Sequence, residues 1–206
     1  MFPFDVILFD VGGVLLTNGW DHRERAAVLR QFNLDYDTFE ARHAAPYDAW
    51  ERGAIRADEY LDAAVFYEPR SFTREEFFAA LCAQSQPLAD GALGILGEVS
   101  ASKKCMVGAL NNEAREPNEY RFERFGLRAY FQFAFSSCYL GLRKPAPAIY
   151  RRVLDILGKP AERILFIDDR EENVAGARGA GIRAIRFEGA GSLRPALEDI
   201  GVLEKI

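Results

Sequence analysis

The sequence predicts an α/β protein: a parallel sheet flanked by helices, with an all-helical segment inserted after the first strand. Three observations lead there. Short β-rich apolar runs stand at 6–9, 106–110, 131–135, 164–167 and 182–187, each too short for a helix and separated from the next by helical patterns. Between 19 and 88 no convincing strand occurs, and helix signals accumulate instead. Finally, several of the runs end on polar residues, which is where open α/β sheets gather their ligands.

The first run lies in FDVILFDVGGVLLTN (4–18), which climbs from Val6 to Phe9, reaches Asp10 and breaks at Gly12 and Gly13, residues that let a chain turn at once. Asp21 then opens a helix that ends at Phe32. A second begins at Asp37 and is expected to stop at Pro46, with Gly53 closing the next turn. Another spans 58–66. Thr73-Arg74-Glu75-Glu76 is a capping-box pattern that opens 77–82, hydroxyl and carboxylate each satisfying a backbone amide. The sheet resumes near Leu88, giving a division into a core of 1–18 and 88–206 and a helical cap of 19–87. Within the core, 145–157 reads as a helix with Pro145 at an early position and Gly158 past its end, and 171–179 as one closed by Gly181. Gly179-Ala180-Gly181-Ile182-Arg183-Ala184 spells a dinucleotide fingerprint, but it leaves a helix and enters a strand, the reverse of the required order.

Composition narrows the partners. Acidic residues outnumber basic ones, 31 to 26, and the charges are interspersed, so the basic surface that a nucleic acid needs is missing. Cys82, Cys105 and Cys138 are odd in number and form no CxxC, which fits a reducing, cytoplasmic setting. His22 and His43, the two histidines, have no zinc-site spacing. The N-terminus lacks a basic n-region, and Asp5 and Asp10 interrupt any signal-like apolar run. No stretch approaches the roughly 18 apolar residues of a membrane span. A cytoplasmic protein with neither nucleic-acid nor membrane partners is expected.

Four polar places fall at strand ends: Asp10, Asn111-Asn112, the loop Gly141-Leu142-Arg143-Lys144-Pro145, and Asp168-Asp169. Three carboxylates and a lysine would converge there. Such carboxylates repel one another unless they share a cation, and carboxylate oxygen suits a hard divalent ion such as Mg2+. One of them is then free to act as a nucleophile.

FDVGGVL, a polar pair ending a second strand, a lone Lys before Pro, and FIDD, in that order, resemble the haloacid dehalogenase superfamily over nearly the whole chain. The resemblance implies a Rossmann-like core, a helical cap, and Mg2+-dependent hydrolysis of a small phosphorylated metabolite. It assigns Asp10 as the nucleophile that forms an aspartyl-phosphate, and Lys144 as the cation that neutralises nucleophile and phosphate. Asp169 matches a direct Mg2+ ligand, Asp168 a direct or supporting one, and Gly12 the position whose backbone carbonyl also meets the metal. Asn111 and Asn112 match the phosphate-binding strand end. Trp50-Glu51-Arg52-Gly53 looks like the loop such caps dip toward the site, with Arg52 placed for a second anionic group and Trp50 for a ring.

Two positions depart from that pattern. The superfamily phosphatases carry a second Asp two residues after the nucleophile, as general acid and base, and here that residue is Gly12. Asn111 stands where Thr or Ser is usual, though its amide still offers donors. General acid–base help is worth about 10²–10⁴-fold, or roughly 2.7–5.5 kcal/mol of barrier. Asp21, His22 and Glu113 are the candidates to replace the missing carboxylate. Two other readings stay open: a metal-free dehalogenase-type hydrolase, whose relatives also lack that Asp, and a lapsed enzyme kept as a binding domain.

Overall fold

The computed structural model describes residues 2–205. In chain order the elements are β1 (Val6–Phe9), α1 (His22–Gln31), α2 (Tyr36–Glu51), α3 (Ala57–Ala64), α4 (Arg74–Ala83), α5 (Leu93–Ser102), β2 (Met106–Asn111), α6 (Arg115–Arg124), β3 (Phe133–Ser136), α7 (Ser137–Leu140), α8 (Pro147–Leu157), β4 (Ile164–Asp168), α9 (Glu171–Gly179), β5 (Arg183–Arg186) and α10 (Ala190–Asp199). The five strands form one parallel sheet in the order β3-β2-β1-β4-β5. The fold class is thus the α/β one expected, with β1 in the centre.

Strand alternation sorts the sheet's side chains onto two faces. Ile7, Phe9, Val107, Ala109, Leu165 and Ile167 share one core with side chains of α5, α6 and α10. Val6, Leu8, Leu110, Ile164 and Phe166 share the other with Ile149, Tyr150 and Val153 of α8 and Ala177 of α9. Register sets the heights. Phe9 pairs with Ala109 and Ile167, so the next row holds Asp10, Leu110 and Asp168 together.

The helices α1–α4 fall between β1 and β2 and bury a third cluster built on Trp20, Phe39, Trp50, Tyr60 and Phe77. Side chains of this size are worth about 1.5–3 kcal/mol each when fully buried. Thr73 caps α4 with the capping box, its Oγ1 accepting from the Glu76 amide at 3.2 Å. Two helix boundaries differ from expectation through proline, beside shifts of one or two residues such as β3 beginning at Phe133 rather than Phe131. Helix α2 runs through Pro46 to Glu51, because aromatic packing holds both halves: His43 stacks on Tyr47 across the proline, and Trp50 stacks on Tyr60 with ring centres 4.4 Å apart. Burial on that scale outweighs the ~3 kcal/mol an interior proline costs. Helix α8 starts with Pro147 at its first position, two residues after Pro145.

Candidate active site

The row beyond the sheet's carboxyl edge holds the site. Asp10 and Asp168 share the parity of Leu8 and Phe166, so both carboxylates project toward the face covered by α8 and α9. The loop before α8 brings Lys144 to them. Its Nζ lies 2.9 Å from Asp10 Oδ2 and 2.6 Å from Asp168 Oδ2, and donates to the Leu110 carbonyl at 2.8 Å. All three members of that row are therefore bound by one ammonium. Asn112 fixes the lysine: its Oδ1 accepts from the Lys144 amide and its Nδ2 donates to the Lys144 carbonyl, both at 2.9 Å.

The surroundings set the charges. Burial pushes the Asp10 carboxyl above the usual carboxylate range, against the pull of Lys144 and with a further push from Asp168. Burial acts on Asp168 too, but Lys144, the Arg170 amide and the Asn173 side chain together hold its carboxyl below the usual range. Asn173 Nδ2 donates to both its oxygens, at 2.9 and 3.1 Å. Lys144 is buried, yet the two carboxylates keep its pKa above the usual value. Asp169, one residue further along, is raised by burial and then by Asp168.

Asp169 packs against Gly13. A β-carbon on Gly13 would fall 2.3 Å from Asp169 Oδ2, and the glycine's φ of +73° is one that side chains rarely adopt. Oxygens of Asp10, Asp168 and Asp169 all lie within 4.8 Å of one another. Asp169 Oδ1 is buried with no hydrogen-bond partner. A set of hard oxygens with one left unsatisfied fits a Mg2+-like ion.

A cavity of about 220 Å³ opens above this cluster, and Asp10, Gly12, Asn112 and Lys144 line it. Asp21 and Glu113, two of the three acid–base candidates, line it as well. His22 is not among the lining residues; it is exposed, with Nδ1 near the Tyr36 hydroxyl and the Arg25 guanidinium.

Two expected phosphate-side residues are placed elsewhere. Asn111 has the parity of Ala109, so its side chain leaves the Asp10 row for the opposite face, where Nδ2 donates to Asn118 and Oδ1 accepts from Ser136. Arg52 caps the end of α2 outside the cavity, half exposed and paired with Asp48 at 3.0 Å. Trp50 is fully buried in the helical cluster, its Nε1 donating to Glu116.

The guanidiniums that do reach the cavity are Arg25, Arg121, Arg143 and Arg170. Arg143 bridges the core loop to α2, bonding Asp48 at 2.6 Å and Glu51 at 2.5 Å, and Arg170 bonds Asp21 at 2.9 Å. Arg143 adjoins Lys144 in sequence, which was the available clue. Arg121 and Tyr47 sit on helices with no local signal to mark them.

Residues 4–181 match the sequence profile described as haloacid dehalogenase-like hydrolase. The chain belongs to the haloacid dehalogenase-like hydrolases. Among relatives of this family, it is 32% identical over 165 residues to flavin mononucleotide hydrolase 1 of Arabidopsis thaliana, covering 79% of this chain and 65% of that one. It is 30% identical over 162 residues to the phosphoglycolate phosphatase of Rhodospirillum rubrum, covering 79% and 64%. The chain thus spans just under two thirds of the length of these relatives. Its fold resembles that of a haloacid dehalogenase family enzyme from Bacteroides thetaiotaomicron solved as a magnesium complex, with a TM-score of 0.77, 21% identity, and 92% and 95% of the two chains covered. No helix among the described residues is long and apolar enough to cross a membrane.

Proposed function

We propose that this hydrolase is a Mg2+-dependent phosphatase that cleaves a small phosphorylated metabolite through an aspartyl-phosphate on Asp10. The observation that carries this reading is the Lys144 ammonium held between Asp10 and Asp168, with Asp169 alongside. Asp10, Asp169 and the Gly12 carbonyl would hold the ion, with Asp168 supporting them. When bound, Mg2+ supplies positive charge to the phosphoryl oxygens and to the carboxylate cluster.

The chain's own residues do the rest. The Val11 amide donates to Asp10 Oδ1 at 2.8 Å, and Lys144 holds Oδ2, so the carboxylate is fixed before substrate arrives. Asp10 attacks phosphorus, the bond to the leaving oxygen breaks, and Lys144 offsets the charge that builds on the transferring group. Water then attacks phosphorus, freeing Asp10 and inorganic phosphate. Helices α1–α4 act as the cap, and the cavity's modest size and polar lining favour a phosphoryl group on a small polar carrier.

Phosphate release from a panel of phosphomonoesters tests this, with and without Mg2+ and against Asp10→Asn. Release that needs both the ion and Asp10 is expected, with Asp10→Asn at background. Gly12, in place of the acid–base Asp, favours one competing reading, that of a lapsed enzyme. Mg2+ binding without any release from any ester would establish that reading instead. Halide release from a 2-haloacid without added metal would point to the dehalogenase chemistry.

A further inference from the structure

We propose that Glu113, held by Arg121, is the proton-transferring group that stands in for the carboxylate absent at position 12. The inference rests on the phosphatase reading above and names a residue for its unfilled role. A β-carbon on Gly12 would lie 3.7 Å from Arg121 Nη1, and that nitrogen donates to Glu113 Oε2 at 2.5 Å. The Glu113 carboxylate is thus one guanidinium nitrogen away from the missing side chain. A β-carbon on Gly19 would lie 3.4 Å from the same Nη1, so the guanidinium sits within van der Waals reach of both glycine positions. Glu113 and Arg121 are almost wholly buried, and both line the cavity above Asp10.

Two other acids lining the cavity, Asp21 and Glu51, are each engaged through both oxygens. Asp21 uses Oδ1 to cap the His22 amide and Oδ2 to bind Arg170. Glu51 accepts from the Tyr47 hydroxyl through Oε1 and pairs with Arg143 through Oε2. The backbone of Glu113 is pinned, its amide donating to Ser137 Oγ at 2.9 Å, while that hydroxyl donates to the Glu51 carbonyl at 2.7 Å. A fixed backbone, the Arg121 guanidinium and the Ala114 amide leave a positioned carboxyl at the cavity wall.

The charged or titratable groups around Glu113 are Arg121 of α6, Glu51 and Tyr47 of α2, Cys82 of α4 and Cys138 of α7. Burial, resisted by Arg121 and helped by Glu51, pushes the Glu113 carboxyl up to about 6. An acid poised near neutrality serves both half-reactions. Protonated Glu113 gives its proton to the leaving oxygen as the phosphorus–oxygen bond breaks and Asp10 takes the phosphoryl group. The resulting carboxylate then removes a proton from the water that attacks phosphorus, which returns Glu113 to its acid form and releases phosphate and free Asp10.

The test is the dependence of rate on leaving group. With Mg2+ present, wild type and Glu113→Gln are compared on alkyl phosphates, whose leaving groups need a proton, and on p-nitrophenyl phosphate, whose leaving group does not. Glu113→Gln is expected to lose about 10²–10⁴-fold on alkyl esters and much less in burst-phase cleavage of the nitrophenyl ester. Adding Gly12→Asp to that variant should restore most of the loss. An equal loss on every ester, or no rescue, assigns Glu113 a purely structural role and overturns the proposal. Gly12→Asp alone is a check that does not depend on the fold of Glu113→Gln: it should raise alkyl-ester hydrolysis less than tenfold, and a gain of about 100-fold or more would show that no group supplied the proton before. A wild type that cleaves no ester overturns the phosphatase reading itself, whereas an active wild type indifferent to Glu113 overturns only this assignment.

Discussion

At the residue scale, protonation is set by partners as much as by burial. Lys144 shows this for the sheet edge, where one ammonium serves two carboxylates and Asn173 and the Arg170 amide decide which of them is held ionised. His43 shows it in the helical cluster. Trp20 Nε1 can only donate, and it does so to the Tyr60 hydroxyl at 2.7 Å. That hydroxyl is then free to donate to His43 Nδ1 at 2.8 Å, which requires a neutral imidazole. Burial and then the charge of Arg25 push the His43 pKa down to about 4 from 6.5. The unfolded chain therefore takes up a proton on acidification before the folded one does. The stability this site contributes is complete above pH ~6.5 and falls away toward pH ~4, by about 3 kcal/mol over the whole window. Urea denaturation at pH 7 and pH 5 should show wild type losing more stability than His43→Gln. Equal losses in the two proteins would mean that His43 is not buried neutral.

At the element scale, close approach between elements explains what the sequence could and could not disclose. The strand runs, the capping box at Thr73 and the glycine-terminated helices were legible, because each is a local pattern. Asp10, Lys144, Asp168 and Asp169 could be picked out as strand-end or loop residues before the sheet order was known. Asn111 and Arg52 were harder, since strand parity and the rotation of a helix end decide where they point, and both depend on partners distant in sequence. The same holds for Pro46, where tertiary stacking overrides a local rule. Gly53 lies between these cases. It ends α2 at a φ of +69°, and a β-carbon there would fall 2.1 Å from the Cys138 carbonyl oxygen of α7. The α2–α3 turn rests directly on core backbone, with no flexible side chain able to give way. Gly53→Ala should cost about 2 kcal/mol or more, combining backbone strain with separation of the two elements. Chemical denaturation measures it, and a loss below about 0.5 kcal/mol would show that the turn can lift from α7 freely.

At the scale of the whole molecule, the sheet edge concentrates carboxyl groups that Lys144 and Arg170 are the neighbouring cations to offset. Three carboxyl groups face one ammonium, Asp169 leaves an oxygen buried without a partner, and only the absence of a side chain at Gly13 gives that carboxylate its room. A cluster of this kind trades stability for binding, so its signature belongs to global unfolding as well as to catalysis. If Mg2+ is the ion this site is built for, it binds the folded chain and not the unfolded one, and at 100 times its dissociation constant it adds about 2.7 kcal/mol. For a chain of this size that corresponds to a rise in Tm of about 5–10 °C. Asp169→Asn separates this from a general salt effect. It should abolish the Mg2+-dependent rise, while in chelator its Tm should equal or exceed that of wild type, because removing Asp169's charge relieves repulsion with Asp168. Thermal unfolding of both proteins in chelator and in Mg2+ distinguishes the outcomes. A variant less stable than wild type in chelator would mean that Asp169 holds the fold together by itself, and a Mg2+ response that survives in the variant would place the ion elsewhere.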